Sequence, residues 1–447
     1  MKNNLNINLV ILVKRMKYVI LIGDGMADYP IPERDNKTAL QTASTPNLDF
    51  IATEGMCGVV QTISKGMDAG SDIAILSILG YDPARYYTGR GPLEALGMHI
   101  PLDEGDIAFR CNLVTENRGR LEDYSGGHIT NGEAKGLIEA LNEELRVKEE
   151  VEKKGWQIDF YPGMSYRNVL VLKSKDYDLG NEKEIGGAPP HDIIGARVEE
   201  ELPKEEILRN IVLASREILE KHEINVERAA KGKKKANMIW LWSGGRKPTM
   251  PEFREMYGVS GSVISAVFLL KGVGRCVGLD VIDVPGATGY IDTNYAGKAE
   301  YALRSLKDHD FVLVHVEAPD EAAHIGDIDM KVKAIEDFDA LVVGKMLGGL
   351  EDEFADEGYK VLAMPDHYTP VSLRTHTKEP VPFAIYCAQA QVREQNKQKG
   401  GRVRERRKDG GFDEVSARKS DLGVLDARAG DLMYYFFTHN RSLEKKA

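Results

Sequence analysis

The chain has 447 residues, 42% apolar and 29% charged, which is the make-up of a globular protein with room for two or three domains. Its 59 Lys and Arg against 70 Asp and Glu leave a net charge of −11, which argues against a broad nucleic-acid-binding face. Cys57, Cys111, Cys276 and Cys387 form no Cys-x-x-Cys pair, which excludes a disulfide framework or thiolate zinc site from the expectation and makes a reducing cytoplasm the default compartment.

Residues 1–15 contain an apolar run too short for a signal peptide and are read as a dispensable extension, with Met16 an alternative start. No stretch reaches the ~18 apolar residues of a membrane span, so no membrane partner is expected. Lys17 to Asp24 is a continuously apolar, β-branched run, as in a strand of a parallel sheet buried on both faces. The same pattern recurs at Asp310–Ala318 and Tyr359–Asp366, each with a polar or acidic residue where the strand stops. Helices are expected at 45–54, 71–79, 292–306 and 329–350, alternating with these strands. From 101 to 255 the chain is more polar, with helices expected at 133–154 and 203–222 and strands near 166–172 and 237–242. This segment is read as a smaller α+β domain inserted into an α/β domain made of 16–100 and 256–447. Where that domain resumes, 262–271 reads as helix and 278–284 as strand. The polar, basic run 394–411 reads as a solvated loop, and no Gly-x-Gly-x-x-Gly or Walker A sequence indicates a nucleotide kinase.

Open α/β sheets place ligands at the carboxyl ends of their strands, so three acid-bearing ends indicate one shared site. Four segments carry the chemistry: Gly23-Asp24-Gly25-Met26; Asp68-Ala69-Gly70-Ser71-Asp72; Glu317-Ala318-Pro319-Asp320 through His324; and Pro365-Asp366-His367 followed by Arg374-Thr375-His376. Asp320 and His324 are four apart, so on a helix they share a face, as two ligands of one ion must. Asp366 and His367, adjacent at a strand end, can serve two neighbouring ions. Carboxylates with imidazoles suit Mn²⁺, Zn²⁺ or Fe better than Ca²⁺. A pair of metals ~3.5–4 Å apart is a clamp for in-line displacement at phosphorus. Ser71 at a helix start lies where unpaired N–H groups favour a phosphate.

This set of motifs resembles the alkaline phosphatase superfamily, and within it the archaeal-type cofactor-independent phosphoglycerate mutases. Leu79-Gly-Tyr-Asp-Pro, Tyr87-Thr-Gly-Arg-Gly-Pro-Leu-Glu-Ala, Phe109-Arg-Cys-Asn-Leu and Pro285-Gly-Ala-Thr-Gly support the likeness, which runs from Lys17 to the C-terminus. The resemblance implies an alkaline-phosphatase-like, mostly parallel sheet flanked by helices, with the insert closing over a small phosphorylated metabolite. It implies two divalent ions, Mn²⁺ first and Mg²⁺, Co²⁺ or Zn²⁺ compatible, and no bisphosphoglycerate. Asp24, Ser71, Asp366 and His367 would surround one ion; Asp320, His324 and His376 the other. Ser71 would take up and return the phosphoryl group as 3- and 2-phosphoglycerate interconvert. Arg90, Arg110, Arg167, His191 and Asp192 are the candidate substrate contacts, Arg because it grips phosphate and carboxylate bidentately. A homo-oligomer is compatible with the sequence.

One position departs from the family pattern. Trp242 stands where archaeal-type mutases tend to carry Arg, with Arg246 four residues on. In this the chain resembles a bacterial branch proposed to phosphorylate homoserine. The alternatives are therefore a homoserine phosphotransferase or a phosphatase with the same site.

Overall fold

The computed structural model describes residues 16–144, 156–174, 186–389 and 411–438. The 1–15 extension, the end of the 133–154 helix and the basic run 394–411 up to its last residue lie outside them. The chain divides into two compact units: one from the N-terminus to Tyr86 with Pro251–Val267 and Val273 onward, the other Tyr87–Met250 with Phe268–Gly272.

The first unit is built on an eight-stranded sheet in the order β13-β2-β12-β11-β1-β10-β8-β9. At its centre β1 (Lys17–Gly23) runs parallel to β10 (Phe311–Val316) and β11 (Tyr359–Met364). Every residue of β10 and β11 is buried, the physical reason these runs are apolar apart from His315 and Lys360. β8 (Gly261–Ile264) continues the parallel set beside β10, with the two-residue β9 (Asp280–Val281) outside it. On the other side β12 (Val381–Ala388) is antiparallel to both β11 and β2 (Met56–Gln61), and β13 (Val424–Asp426) ends the sheet parallel to β2. The sheet is thus mostly parallel, flanked by helices, and mixed at one side.

Helices form at Pro46–Glu54, Ser71–Ile78 and Tyr295–Ser305, the last capped by the Asn294 side chain accepting from Gly297 N. The stretch expected as one helix over 329–350 is Ile328–Asp337, a π-helical segment Phe338–Val343, and Gly344–Glu353. One expectation fails: 262–271 is not a helix. Gly261–Ile264 pairs with β10 as a fully buried strand, and the helix begins only at Phe268, running to Cys276. A short apolar run cannot be told from a buried helix by periodicity, and sheet pairing decides it. The strand expected over 278–284 shrinks to β9.

The second unit is an antiparallel five-stranded sheet. β3 (Ile107–Asn117) lies between β6 (Arg167–Ser174) and β7 (Met238–Arg246), with β5 (Trp156–Met164) beside β6 and β4 (Arg120–Asp123) on the end of β3. Helices Asn131–Glu144 and Glu206–Leu219 cover one face through Leu137, Ile138, Leu208 and Ile211. The unit begins at Tyr87 rather than 101, because the Arg90–Gly97 helix packs on β3 and β7; Gly91 lies so close to Ala108 that a Cβ would strike its carbonyl.

Candidate active site

β1, β10 and β11 run in one direction, so their carboxyl ends deliver Asp24, Asp320 and Asp366 to one edge of the sheet. Asp366 is anchored through one oxygen, its Oδ1 accepting from Gly25 N at 3.1 Å and His367 N at 2.9 Å. Gly25 holds φ +59°, and a side chain there would meet Thr369 and Asp320. The Asp366 Oδ2 and Asp24 Oδ1 atoms are buried and have no hydrogen-bond partner among the described residues. Such orphaned carboxylate oxygens fit a cation. Burial, then Asp366 and Asp320, push the Asp24 carboxyl well above the ordinary range, as expected when like charges share a dry volume.

Ser71 opens the Ser71–Ile78 helix, its Oγ 3.4 Å from Asp24 Oδ2 and 3.2 Å from His367 Nε2. The Thr369 hydroxyl donates to Asp320 Oδ1 at 2.5 Å, so its oxygen is left to accept from His367 Nδ1 at 3.2 Å. That assignment turns the Nε2 lone pair of His367 towards Ser71, Asp24 and Asp366, the last two at 3.4 Å each. Burial lowers the His367 ring to about 4, so it is neutral at physiological pH.

The second cluster rests on the same logic. His324 Nδ1 lies 2.9 Å from the Arg374 carbonyl and His376 Nδ1 3.3 Å from the Ala69 carbonyl. A carbonyl only accepts, so each Nδ1 carries hydrogen. The two Nε2 atoms then meet 3.0 Å apart, at 3.1 and 3.4 Å from the oxygens of Asp320. Two lone pairs and a carboxylate converging on one point call for a positive charge. Against the opposing effect of burial, Asp320 raises His324 to about 9 and also raises His376. The donor atoms of Asp320, His324 and His376 lie within 4.8 Å of one another, as do those of Asp24, Asp320 and His367, and of Asp24, His315 and Asp366. Mixed carboxylate and imidazole donors of this kind fit a transition metal.

The third of those groups contains a residue that sequence reasoning passed over. His315, fully buried on β10, places Nε2 3.3 Å from Asp24 Oδ2 and Nδ1 3.3 Å from Glu317 Oε1. Glu317 is also paired with buried Lys298 at 2.6 Å and accepts from Ser265 Oγ and Ala266 N, both at 2.8 Å. The signal was available: a His inside a strand otherwise wholly apolar, with a Glu just past its end.

In the second unit, strand alternation and register put Arg110, Asn112, Arg167, Trp240 and Trp242 on one face of the sheet, opposite the Asn131–Glu144 and Glu206–Leu219 helices. Arg110 pairs with Glu94 at 3.0 Å and lies over the Trp242 ring at 4.7 Å; Arg90, at the start of its helix, lies over the same ring at 5.9 Å. Burial, and then Arg90 and Arg167, lower the Arg110 guanidinium despite Glu94. His191 meets the edge of Trp242 at 5.7 Å, whereas Asp192 is exposed and 3.7 Å from His191. Arg246 donates to the Gly105 carbonyl at 2.8 Å.

Residues 52–225 match the family model described as 2,3-bisphosphoglycerate-independent phosphoglycerate mutase. The protein of that name from Methanosarcina barkeri is 49% identical over 421 residues, covering 94% of this chain and 98% of that one. Among solved structures, a protein from Pyrococcus horikoshii superposes with TM-score 0.74 at 31% identity, covering 95% and 98% of the two chains. The cofactor-independent phosphoglycerate mutase of Thermoplasma acidophilum gives 0.58 at 28%, covering 94% and 100%.

Proposed function

Because the chain belongs to the 2,3-bisphosphoglycerate-independent phosphoglycerate mutases, it interconverts 3- and 2-phosphoglycerate, and we propose that it does so through a phosphorylated Ser71. One observation carries this reading: Ser71 Oγ is within 3.4 Å of both Asp24 and His367, at a helix start and beside carboxylate oxygens that have no donor among the described residues. Asp24, Ser71, Asp366 and His367 would hold one divalent cation, and Asp320, His324 and His376 a second, with Mn²⁺ the expected ion and Mg²⁺, Co²⁺ or Zn²⁺ compatible. Such ions, when bound, supply Lewis-acid polarisation of the phosphoryl oxygens and of the serine hydroxyl.

Ser71 Oγ attacks phosphorus as the bond to the glycerate 3-oxygen breaks; the proton lost by Ser71 is balanced by the one that oxygen gains. Unpaired N–H groups at the helix start favour the phosphate on Ser71. The 2-hydroxyl of the same glycerate then takes the phosphoryl group, losing its proton while Ser71 regains one. Retaining glycerate and excluding water separate this outcome from hydrolysis. Arg90, Arg110 and Arg167 are proposed to bind the glycerate carboxylate or the phosphate, with His191 beside them; Asp192, exposed, is the weakest member of the set. A cytoplasmic location is part of the same proposal and rests on the cysteine usage read from the sequence. Among the described residues no helix is long and apolar enough to cross a membrane.

The test is a coupled assay with Mn²⁺ and 3-phosphoglycerate and no bisphosphoglycerate. Turnover to 2-phosphoglycerate that a chelator abolishes supports the reading. Phosphate release without 2-phosphoglycerate, or phosphorylation of homoserine instead, would overturn it.

A further inference from the structure

We propose that Trp242 is a specificity-determining residue, an aromatic plate that orients Arg110 and Arg90 so that the second unit recognises a planar carboxylate. Trp242 stands directly opposite Arg110 across the β3–β7 ladder, and both guanidinium groups lie over its ring. The ring cannot turn freely. Its N–H donates to Asn112 Oδ1 at 3.0 Å, whose amide in turn donates to the Tyr124 carbonyl at 3.5 Å, and His191 abuts its edge. Only 4% of Trp242 is exposed, so the plate is packed into the unit rather than lying on its surface.

Arg110 is 8% exposed and keeps one amino group on Glu94, yet its buried Nε–H has no acceptor among the described residues. A buried guanidinium edge without an acceptor is a place reserved for an anion. A guanidinium over an aromatic face presents its donors from the rim, in the plane that matches a carboxylate bidentately. With its indole N–H already used, Trp242 offers the ligand no polar group. It therefore acts through the arginines, as a positioning residue. The ligand chemistry is a small 2-hydroxycarboxylate, which rests on the phosphoglycerate reading above.

Trp242→Phe and Trp242→Leu of the full-length enzyme test this, since both fill the site with apolar atoms and only Phe retains a π face. With Mn²⁺ and 3-phosphoglycerate, Phe is expected to keep KM within about 3-fold, and Leu to raise KM by about 10-fold at little change in kcat. A loosened carboxylate also lets glycerate escape, so Leu should increase inorganic phosphate released per 2-phosphoglycerate formed. Calorimetry with D-glycerate on chelator-treated protein should rank the affinities wild type, Phe, Leu. Equal KM, phosphate partition and glycerate affinity for Leu and wild type overturn the proposal, as does a Phe variant no better than Leu. So does wild-type protein that binds no glycerate. A wild type inactive on 3-phosphoglycerate sinks instead the function on which the proposal rests.

Discussion

His315 Nε2 lies 3.3 Å from Asp24 Oδ2, the same oxygen that accepts from Ser71 Oγ at 3.4 Å. The imidazole is therefore the next link behind the nucleophile in a buried row of alternating basic and acidic groups: Lys298, Glu317, His315, Asp24. Burial disfavours the imidazolium, but Asp24 and Glu317 outweigh it and raise His315 to about 10. Glu317 is held well below the ordinary carboxylate range, Lys298 leading the effects that overcome its burial. His315→Gln, which cannot carry the charge, should weaken divalent-cation binding roughly 10–100-fold, as loss of a partner behind a ligand usually does. Calorimetric titration of Mn²⁺ into the chelator-stripped protein measures this directly. Unchanged affinity would mean that the row is structural only.

Ser71→Ala should lower mutase turnover by roughly 10³-fold or more, because it deletes the nucleophile and not merely a contact. The fold should be untouched, since Ser71 is only half-buried at the start of its helix and its hydroxyl caps nothing. Acid-quenched protein incubated with substrate should carry phosphate on Ser71 in the wild type and on no residue in the variant. Full activity in the variant would refute the covalent route.

Lys331 tests how the site is supported from below. Its buried ammonium pairs with Asp28 at 2.9 Å and donates to the Thr369 carbonyl at 2.8 Å and the Ala27 carbonyl at 3.2 Å. Lys331→Met leaves Asp28 charged and buried, which should destabilise the protein by about 3–5 kcal/mol in chemical unfolding. Adding Asp28→Asn should recover much of that loss, since the amide oxygen can still accept from Tyr29 N and Val371 N. Additive losses in the double variant would show that the two residues are not coupled.

Glu414 governs a pH window. Burial raises its carboxyl to about 7, while Thr38 Oγ1 and Asp28 N donate to it. A folded-state pKa above the unfolded value of 4.5 means that stability from this group is complete below 4.5 and is lost as pH rises towards 7. Asp339, raised by burial to about 6, acts in the same direction over a narrower range. Glu414→Gln should therefore remove up to ~1.4 kcal/mol per pH unit of the decline, leaving the part due to Asp339. Unfolding free energies at pH 5, 6 and 7 for both proteins decide it. Parallel slopes would contradict the assignment.

What can be read along the chain here is what short-range geometry controls. Apolar β-branched runs ending in Asp24, Asp366 and the Glu317–Asp320 turn mark parallel strands, because strands buried on both faces admit no alternation. The spacing of Asp320 and His324 follows from the helical repeat, and Gly70-Ser71 from the need to open a helix. Contacts that depend on which strand lies beside which are invisible in that reading. His315 faces Asp24 only because β1 pairs with β10 in the register that sets Ile22 beside His315 and Gly23 beside Val316. Trp242 meets Arg110 only because β7 pairs with β3, and 262–264 is strand rather than helix only because β10 offers an open edge. A one-residue slip in either register would turn those side chains to the opposite face. The ligand-type residues and the sheet that carries them were thus determined locally, whereas the charge row behind Ser71 and the aromatic plate under the arginines were decided by strand pairing, a long-range choice made by the burial of whole faces.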